Sequence, residues 1–363
     1  MRLLLAGGGT GGHLFPAVAL AQLLMQQEPQ AAVQFVGTDK GMEARMLPKL
    51  GLPLETVDMA GVVGTGWRGK LEMIPRLLKS MKQAHAILRK FSPDLVIGVG
   101  GYSSVPVLLV AKLLGISYAI HEQNATPGLS NKLLGRWATR IFLSFAVTGS
   151  SFDARKTMLT GNPLRQGFES VPAKLPAKGK LLIFGGSLGS QAINRTVVGM
   201  LPRLKEWPDC PEILHQTGEA EYEKVQSAYA AAGLDPKSVV PFIDDMATAY
   251  AEAKLVICRA GATTLAELTV CGRPALLIPF PFAAGDHQTT NARTLEMAGA
   301  AKLLPQADLT AEQLIEQVMR LFADTEQLQR MGEKGRTLGQ PGAAEKILHE
   351  CRQLVGTYSQ GAI

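Results

Sequence analysis

Short runs of hydrophobic residues, bounded by glycine, proline or charged residues, recur along the whole chain with longer mixed segments between them. In the first half the runs are RLLLAG, AVQFVG, DLVIGVG, SYAIHE and RIFLS, and in the second half LLIFGG, EILHQTG, SVVPFID, KLVICRAG and PALLIPFPF. Continuous apolar runs of this length are typical of strands buried on both faces of a parallel sheet, and the segments between them have helical spacing. The pattern predicts an α/β fold.

The two series of runs are separated by FESVPAKLPAKGK, a stretch rich in proline, lysine and small residues that predicts a linker. The second series opens as the first does: RLLLAGGGTGG and KLLIFGGSLGS each predict a strand, a glycine turn and a helix, with the helices beginning near Phe15 and Ala192. We therefore expect two similarly wound, Rossmann-like domains, over 1–163 and 180–342, joined by a linker over 164–179.

Ligands of open parallel sheets bind beyond the carboxyl ends of the strands. With two such domains, we expect the site in the cleft between them. The last segment, AAEKILHECRQLVGTY, has helical spacing and follows the apparent end of the second sheet. The pattern predicts a helix within 343–363 but does not assign it to either domain.

Several classes of protein are disfavoured by composition. No apolar run reaches the roughly 18 residues that a membrane-spanning helix requires, and the run after Met1 ends in glycines, which favours a strand over a signal peptide. The cysteines have no CxxC spacing, which argues against a disulfide framework or a structural zinc site and favours a reducing cytoplasm; they are Cys210, Cys258, Cys271 and Cys351.

Positive charge is concentrated in the first half of the chain. Residues 1–170 contain 18 lysines and arginines against 10 aspartates and glutamates, a net charge of +8, whereas residues 171–363 contain 19 against 21, a net charge of −2. An anionic partner should therefore meet the first half.

Much of that charge lies in the segment 67–91, WRGKLEMIPRLLKSMKQAHAILRKF, where apolar residues at helical spacing accompany seven basic residues. The apolar positions are Leu71, Ile74, Leu78, Met81 and Leu88. The pattern fits a helix on an anionic membrane surface, or a core-facing helix with a solvated basic face. Trp67, Trp137 and the neighbouring Arg136 and Arg140 favour the membrane. Nucleic acid is disfavoured because stacking aromatics are not interleaved with the charge.

The first glycine loop, GGGTGGH at residues 7–13, matches the spacing of a dinucleotide-binding loop. The acidic residue that such a site needs at the end of the second strand is missing, and His13 stands where a Walker loop needs lysine. What remains is an anion-binding loop at a helix start. Because Gly100-Gly101 and GGSLGS at 185–190 repeat the arrangement, the chain predicts a ligand with several phosphates.

His13 is the candidate general base, because a neutral imidazole beside an anion loop can accept a proton from a hydroxyl held there. Without that position, a capping or core role would be the simpler interpretation. In HEQNATPG, Asn124 could bind a ligand, and either His121 or Glu122 could be a second proton carrier. Spacing alone does not choose between these two.

The second half carries a further anion site by the same logic, with Ala262–Thr264 predicted at a helix start after a strand. Glu267 lies in the first turns of that helix, where a carboxylate could accept two hydrogen bonds from a ribose diol or simply favour the helix start. Neither an Asp-x-Asp signature nor a cluster with metal-ligand spacing is present in the sequence. We therefore expect no obligatory metal and no other cofactor.

Eight ordered motifs, from AGGGTGGHLFPAVALA through GVGGYSSVP, HEQNATPG, GNPLR, GGSLGSQAIN, FIDDM and CRAGATTLAEL to GDHQTTNA, closely resemble the bacterial peptidoglycan N-acetylglucosaminyltransferases. These are peripheral enzymes of the cytoplasmic face of the inner membrane that convert lipid I to lipid II. The resemblance implies a glycosyltransferase B fold, with UDP-N-acetylglucosamine held mainly by the C-terminal domain and undecaprenyl-diphosphate-linked muramoyl-pentapeptide by the N-terminal one. It also implies that the last helix returns to the first domain.

Site residues follow from the resemblance motif by motif. Thr10, Gly11 and Gly12 would line the diphosphate region, and Ile243 would meet the uracil through its backbone. Glu267 would bind the ribose. The donor would also be contacted by Asn124, Arg165, Ser187 and Gln288, and its diphosphate by the helix start, which comprises Ala262, Thr263, Thr264, Leu265 and Ala266. Two positions depart from the expected motifs: Ser190 replaces an alanine, and Gly285 replaces a residue that is commonly charged.

The sequence thus predicts an inverting, metal-independent hexosyltransferase with His13 as its base. Two alternatives remain open at this point. One is a UDP-sugar epimerase on the same architecture, and the other is a non-catalytic lipid-diphosphate-binding protein.

Overall fold

Two parallel β-sheets form the framework of the chain. The structure, a computed structural model, describes residues 1–59 and 67–360, with side chains at 1–59 and 74–356. Contacts divide it into two units, one comprising Met1–Arg165 with the C-terminal segment from Gly342, and the other comprising Gln166–Pro341. The predicted α/β class with two Rossmann-like domains is confirmed.

The first unit contains a seven-stranded sheet in the order β3-β2-β1-β4-β5-β6-β7, with every pairing parallel. Its strands are β1 Arg2–Gly7, β2 Ala32–Gly37, β3 Leu54–Thr56, β4 Leu95–Gly100, β5 Tyr118–Glu122, β6 Arg140–Leu143 and β7 Thr157–Leu159. Its helices are α1 Gly11–Gln27, α2 Met42–Met46, α3 Trp67–Phe91, α4 Ser104–Leu113, α5 Leu129–Leu134 and, at the end of the chain, α13 Ala343–Gln360.

The second unit contains a six-stranded parallel sheet in the order β10-β9-β8-β11-β12-β13. Its strands are β8 Lys180–Phe184, β9 Ile213–Gln216, β10 Val239–Val240, β11 Ala253–Cys258, β12 Ala275–Leu277 and β13 Ala301–Leu303. Its helices are α6 Gln191–Glu206, α7 Tyr222–Ala231, α8 Met246–Glu252, α9 Ala262–Cys271, α10 His287–Met297, α11 Ala311–Ala323 and α12 Thr325–Leu338.

All ten hydrophobic runs contain a strand, because alternate residues of each run pack on opposite faces of a sheet. Leu3 and Leu5 join one buried cluster with α1 and α13, whereas Leu4 and Ala6 join the other with α3 and α4. The pattern missed β3, β7 and β13. Each is three residues long and lies at a sheet edge, where a short strand leaves little hydrophobic signal.

Helix α1 begins at Gly11, four residues before the predicted start near Phe15. Gly11 and Gly12 have no side chains to extend the apolar pattern, so the pattern could not reveal the first turn. The earlier start puts His13 in that first turn. By contrast, α6 begins at Gln191, one residue from its predicted start.

The final helix packs in the first unit. Ile347, Leu348 and Cys351 are fully buried in the same cluster as the apolar face of α1. Arg352 Nε donates to Glu28 Oε1 at the end of α1, over 2.8 Å. Most of the segment predicted as a linker packs on the second unit, where Leu175 joins the core.

Helix α3 has two contrasting faces along its described side chains. Ala84, Ile87 and Leu88 are buried against the first sheet, whereas Ile74 and Leu78 are 60% and 58% exposed. Leu88 therefore belongs to the core and not to the predicted membrane face. The predictions for Trp67 and Leu71 concern residues outside the described side chains. Among the described residues, no helix is both long and apolar enough to cross a bilayer.

Arg140, which the sequence predicts at the headgroup layer of a membrane, is engaged within the first unit. Its guanidinium forms an ion pair with Glu350 of α13, with a nitrogen–oxygen distance of 2.6 Å. It therefore helps to hold α13 against the first sheet. Trp137 remains 45% exposed, as the membrane interpretation requires.

Candidate active site

The predicted glycine loops lie at the point in each sheet where the strand order reverses. In the first sheet this point is between β1 and β4, and it is flanked by the loops at Gly7–Gly12 and Gly100-Gly101. In the second sheet it is between β8 and β11, flanked by the loops that precede α6 and α9. Open α/β sheets bind their ligands at such switch points. Each unit therefore carries one candidate half-site.

In the first half-site, the two glycine loops touch backbone to backbone. Gly7 and Gly101 have φ of +138° and +82°, which favours glycine. A Cβ on Gly7 would overlap the carbonyl oxygen of Gly100, and one on Gly101 would lie 2.7 Å from the carbonyl oxygen of Gly8. Only residues without side chains allow this contact, which leaves backbone exposed beside the start of α1.

The start of α1 has the features of an anion site. Thr10 is its N-cap residue, with extended backbone and an exposed side chain, and the first turn contains no acidic residue. The first amides of an α-helix have no acceptor within the helix, and the helix dipole favours negative charge there. Gly11 and Gly12 can therefore present their N–H groups to a phosphate, as the sequence predicts.

Glu43 supports this loop from behind, and sequence reasoning missed it. Its buried carboxylate accepts hydrogen bonds from Gly9 N at 2.7 Å, Thr38 N at 2.8 Å and Thr38 Oγ1 at 3.0 Å. The carboxylate also lies against Gly8, where a Cβ would be 2.5 Å from its carboxyl carbon. In the sequence, this packing is indicated by the glycines whose backbones surround the Glu43 side chain, Gly8, Gly37 and Gly41.

His13 lies half-buried against the second glycine loop. A Cβ on Gly100 would be 2.9 Å from its ring carbon Cε1, so a side chain at position 100 would displace the imidazole. Its Nδ1 is 3.1 Å from Oε1 of Gln123, which follows β5. Gln123 was not singled out from the sequence, although it lies within the quoted HEQN motif.

Both open candidates for a second proton carrier are buried. His121 is fully buried and makes a 3.2 Å contact from Nε2 to the carbonyl oxygen of Gly161. Burial lowers the pKa of His121 to about 4, so its imidazole stays neutral at physiological pH.

Glu122 is almost fully buried, and its two carboxylate oxygens accept four hydrogen bonds. Oε1 accepts from Asn124 N at 3.0 Å and Asn124 Nδ2 at 3.3 Å, while Oε2 accepts from Gly128 N at 3.0 Å and Asn131 Nδ2 at 2.9 Å. Such a carboxylate organises the loop that contains Asn124. We therefore expect it to act as a structural group.

Arg165, the last residue of the first unit, lies near the first-turn residues of α1. Its guanidinium carbon is 5.3 Å from the centre of the Phe15 ring, within cation–π range. Asn124, His13 and Arg165 therefore all lie in the first unit.

The second half-site repeats the glycine construction. Ser187 is exposed in the loop between β8 and α6, flanked by Gly186 and Gly189 with φ of +92° and +75°. A Cβ on Gly189 would overlap the carbonyl oxygen of Thr217. The close approach of these two backbones requires glycine, as at Gly7.

Ser190, one of the two departures from the expected motifs, has a defined role. Its Oγ accepts from Ile193 N at 3.4 Å as the N-cap of α6 and from an Arg259 nitrogen at 2.7 Å. Arg259 also donates to Gln306 Oε1 and to the carbonyl oxygens of Ile278 and Pro279. Burial lowers the pKa of Arg259 to about 10, so it stays charged. It joins the loops after β8 and β12, and sequence reasoning missed it.

Helix α9 begins at Ala262, with Gly261 as N-cap and no acidic residue in the first turn. Thr263, Thr264 and Ala266 are half-exposed, whereas Leu265 is buried and its backbone N–H donates to the Gly261 carbonyl oxygen over 3.0 Å. Glu267 is mostly buried and accepts a hydrogen bond from the Tyr250 hydroxyl at 3.0 Å.

The remaining predicted donor contacts are Ile243, in the loop that follows β10, and Gln288, in the first turn of α10. The Ile243 side chain is buried, which is compatible with a backbone contact to a base. Gln288 Oε1 accepts from Phe280 N at 2.9 Å and so fixes the loop before α10. In that loop Asp286 has a φ of +52°, unusual for a residue other than glycine.

Metal-ligand geometry is absent from the described part of the chain: no three histidine, cysteine or acidic side chains lie together there. Two Rossmann-like units, each with glycine loops and a helix start at its switch point, form the architecture of the glycosyltransferases of the B type. Comparison with known proteins specifies the class further.

Residues 3–143 match the glycosyltransferase family 28 N-terminal domain, and residues 180–347 match the family 28 C-terminal domain. The chain is 54% identical over 356 residues to the UDP-N-acetylglucosamine–N-acetylmuramyl-(pentapeptide) pyrophosphoryl-undecaprenol N-acetylglucosamine transferase of Syntrophotalea carbinolica, covering 98% of this chain and 99% of that protein. The protein of the same name from Syntrophus aciditrophicus is 45% identical, with 98% and 99% covered.

The crystal structure of MurG from Acinetobacter baumannii superposes with a TM-score of 0.76 at 34% identity, covering 97% of this chain and 99% of that one. The chain therefore belongs to glycosyltransferase family 28 and, within it, to the transferases that share this name. The resemblance identified from the sequence is confirmed.

The four hydrogen bonds that Glu122 accepts predict how its substitution acts. In Glu122→Gln, an amide nitrogen replaces one acceptor oxygen and faces two donors, so a buried pair is left unsatisfied at a cost of about 1–3 kcal/mol. We expect a lower thermal midpoint and a lower kcat/KM, with an unchanged shape of the pH–rate profile. Glu219→Gln, an exposed glutamate in the second unit, is the control. Loss of one limb of the pH profile with normal stability would instead make Glu122 a proton carrier.

Proposed function

We propose that this chain transfers N-acetylglucosamine from UDP-N-acetylglucosamine to the C4 hydroxyl of the muramic acid in undecaprenyl-diphosphate-linked muramoyl-pentapeptide, with inversion at the anomeric carbon. The observation that carries the proposal is the pair of glycine loops and helix starts at the two switch points, because donor and acceptor each contain a diphosphate. Relatives of the same length, at 54% and 45% identity, carry the name of this transferase. The product is lipid II, a precursor of the cell wall.

The first unit takes the lipid-linked acceptor in this proposal, and the second takes the UDP-sugar. The charge distribution supports this assignment, because residues 1–170 contain 18 basic against 10 acidic residues and would attract an anionic lipid. Thr10, Gly11 and Gly12 then meet the acceptor diphosphate region at the start of α1.

His13 acts as the general base. It accepts the proton of the C4 hydroxyl while that oxygen attacks the anomeric carbon from the face opposite the diphosphate. The bond from the anomeric carbon to the diphosphate oxygen breaks, and UDP leaves with the electron pair. Attack from the opposite face gives inversion.

The charge that develops on the departing UDP is stabilised by the first turn of α9, through the backbone amides of residues 262–264 and the Thr263 and Thr264 hydroxyls. The loop at Ser187 contributes in the same way. Helix dipoles and amides then replace a divalent metal, and the reaction proceeds without one.

Glu267 binds the ribose hydroxyls, and the hydrogen bond from the Tyr250 hydroxyl at 3.0 Å restricts its orientation. Ile243 meets uracil through its backbone, and Gln288 contacts the donor from the start of α10. Asn124 and Arg165 contribute further donor contacts from the first unit.

The transfer reaction can be tested by measuring UDP release from UDP-N-acetylglucosamine in EDTA, with and without a lipid I analogue. We expect release that depends on the analogue, and a loss of turnover of at least a hundredfold in His13→Ala with UDP affinity retained. His349→Ala, an exposed histidine on α13, is the matched control.

Each alternative function has its own outcome in this assay. Conversion of the donor without an acceptor would indicate a UDP-sugar epimerase. No consumption of the donor, even after Mg²⁺ is restored, would leave a lipid-diphosphate-binding protein. Full turnover in His13→Ala would eliminate its role as base.

The enzyme is peripheral at the cytoplasmic face of the inner membrane in this proposal, held by the basic apolar region 67–91. The exposed side chains of Ile74 and Leu78 support it, as do exposed lysines and arginines on the same helix. Helix α5 and its C-terminal turn add Leu129, Leu133 and Trp137, all exposed.

Vesicle binding tests this attachment. Replacing Ile74 and Leu78 by serine removes apolar area that would enter the lipid, so we expect at least a fivefold weaker association with phosphatidylglycerol-containing vesicles. Met297→Ser, which alters a still more exposed methionine in the second unit, should bind as the parent protein does. Unchanged vesicle binding by the double variant would refute a membrane role for this face.

A further inference from the structure

A chain of four groups runs from the carbonyl oxygen of Gly161 to the candidate base. His121 Nε2 is 3.2 Å from Gly161 O, Gln123 Nε2 is 3.1 Å from His121 Nδ1, and Gln123 Oε1 is 3.1 Å from His13 Nδ1. Gln123 Nε2 also donates to Val99 O over 3.0 Å. The chain connects the ends of β4, β5 and β7 to the first turn of α1.

The carbonyl oxygens at the edges of this network determine which way the Gln123 amide points. Val99 O can only accept a hydrogen bond, so the Gln123 amide nitrogen must face it. The reversed amide would put two oxygens 3.0 Å apart. With the nitrogen facing Val99 and His121, the amide oxygen faces His13.

The same rule assigns the proton on each imidazole. An amide oxygen only accepts, so His13 must donate from Nδ1, and a neutral imidazole protonated there has its lone pair on Nε2. His121 must accept at Nδ1 from the Gln123 amide, so its proton is on Nε2, where Gly161 O accepts it. Ser144 Oγ, 3.4 Å from that nitrogen, is compatible with the same assignment. Every contact in the network is then satisfied by one arrangement.

Burial makes this arrangement durable. Gln123 is 1% exposed and His121 is 0% exposed, so water does not compete for their hydrogen bonds. The contact with Gly100 restricts the other side of the His13 ring. A second proton on His121 would set two donors against each other at Gln123, and the low pKa of His121 prevents this near neutral pH.

We propose that Gln123 is a positioning residue that fixes His13 as the tautomer protonated on Nδ1, with His121 holding the Gln123 amide in the required orientation. The inference rests on the proposed function, in which Nε2 of His13 receives the acceptor proton. It explains why a fully buried histidine stands two residues before Gln123. His121 acts on the reaction only through the amide.

Gln123→Met tests the proposal, because methionine keeps nearly the same length but its thioether sulfur is only a weak acceptor for His13 and donates nothing to Val99 or His121. We expect kcat to fall at least tenfold while KM for UDP-N-acetylglucosamine changes less than twofold. In ¹⁵N-histidine NMR spectra, His13 of the parent protein should be protonated on Nδ1, and in the variant the proton should shift toward Nε2. Gln34→Met on β2 is the matched control and should change neither result.

The outcomes separate this inference from the proposed function. Acceptor-dependent UDP release by the parent protein, together with full kcat in Gln123→Met, would overturn the inference and leave the transferase intact. Absence of acceptor-dependent release by the parent protein would refute the function itself. If Gln123→Met does not fold, the parent spectrum decides, since a His13 protonated on Nε2 contradicts the proposal.

Discussion

The first half-site depends on the contact between two glycine backbones. Gly7 at the end of β1 meets Gly100 at the end of β4, and Gly8 meets Gly101, so closely that a Cβ on Gly7 or Gly101 would collide with the backbone of the other loop. This contact closes the space above the strand ends with main chain alone and brings the first turn of α1 beside the second loop. His13 can then pack against Gly100, within reach of Gln123. A side chain at Gly7 or Gly101 would separate the loops and move the base.

The second unit uses the same physical solution with different residues. Gly189 and Gly218 allow the loop after β8 to meet the loop after β9, since a Cβ on either glycine would overlap a carbonyl oxygen of the other loop. Arg259, which follows β11, donates to Ser190 in the loop after β8. A charged side chain thus joins these two loops, whereas glycine backbones join the loops after β1 and β4 in the first unit. In both units a parallel sheet supplies the rigid frame, and the helix start beside the glycines supplies the positive end of a dipole.

The sequence revealed the repeated parts of this design and missed the unique ones. The ten apolar runs and the three glycine loops are periodic or compositional signals, and each is local in the chain. Glu43 and Arg259 leave no periodic signal, because each reaches a loop that is distant in sequence, at Gly9 and at Ser190 respectively. Gln123 directly follows His121 and Glu122, whose titratable side chains made them the candidates, and its role depends on the carbonyl oxygen of Val99 in another strand. The ion pair between Arg140 and Glu350 was missed for the same reason.

The central claim is that the helix starts at the two switch points bind the two diphosphates. Amide chemical shifts of the ¹⁵N-labelled protein, recorded during separate titrations with UDP and with a short-chain prenyl diphosphate, test it most directly. The account predicts that UDP shifts the amides of Thr263 and Thr264, and that the prenyl diphosphate shifts those of Gly11 and Gly12. Saturating UDP that leaves the start of α9 unchanged, or a prenyl diphosphate that binds without perturbing the start of α1, would contradict it.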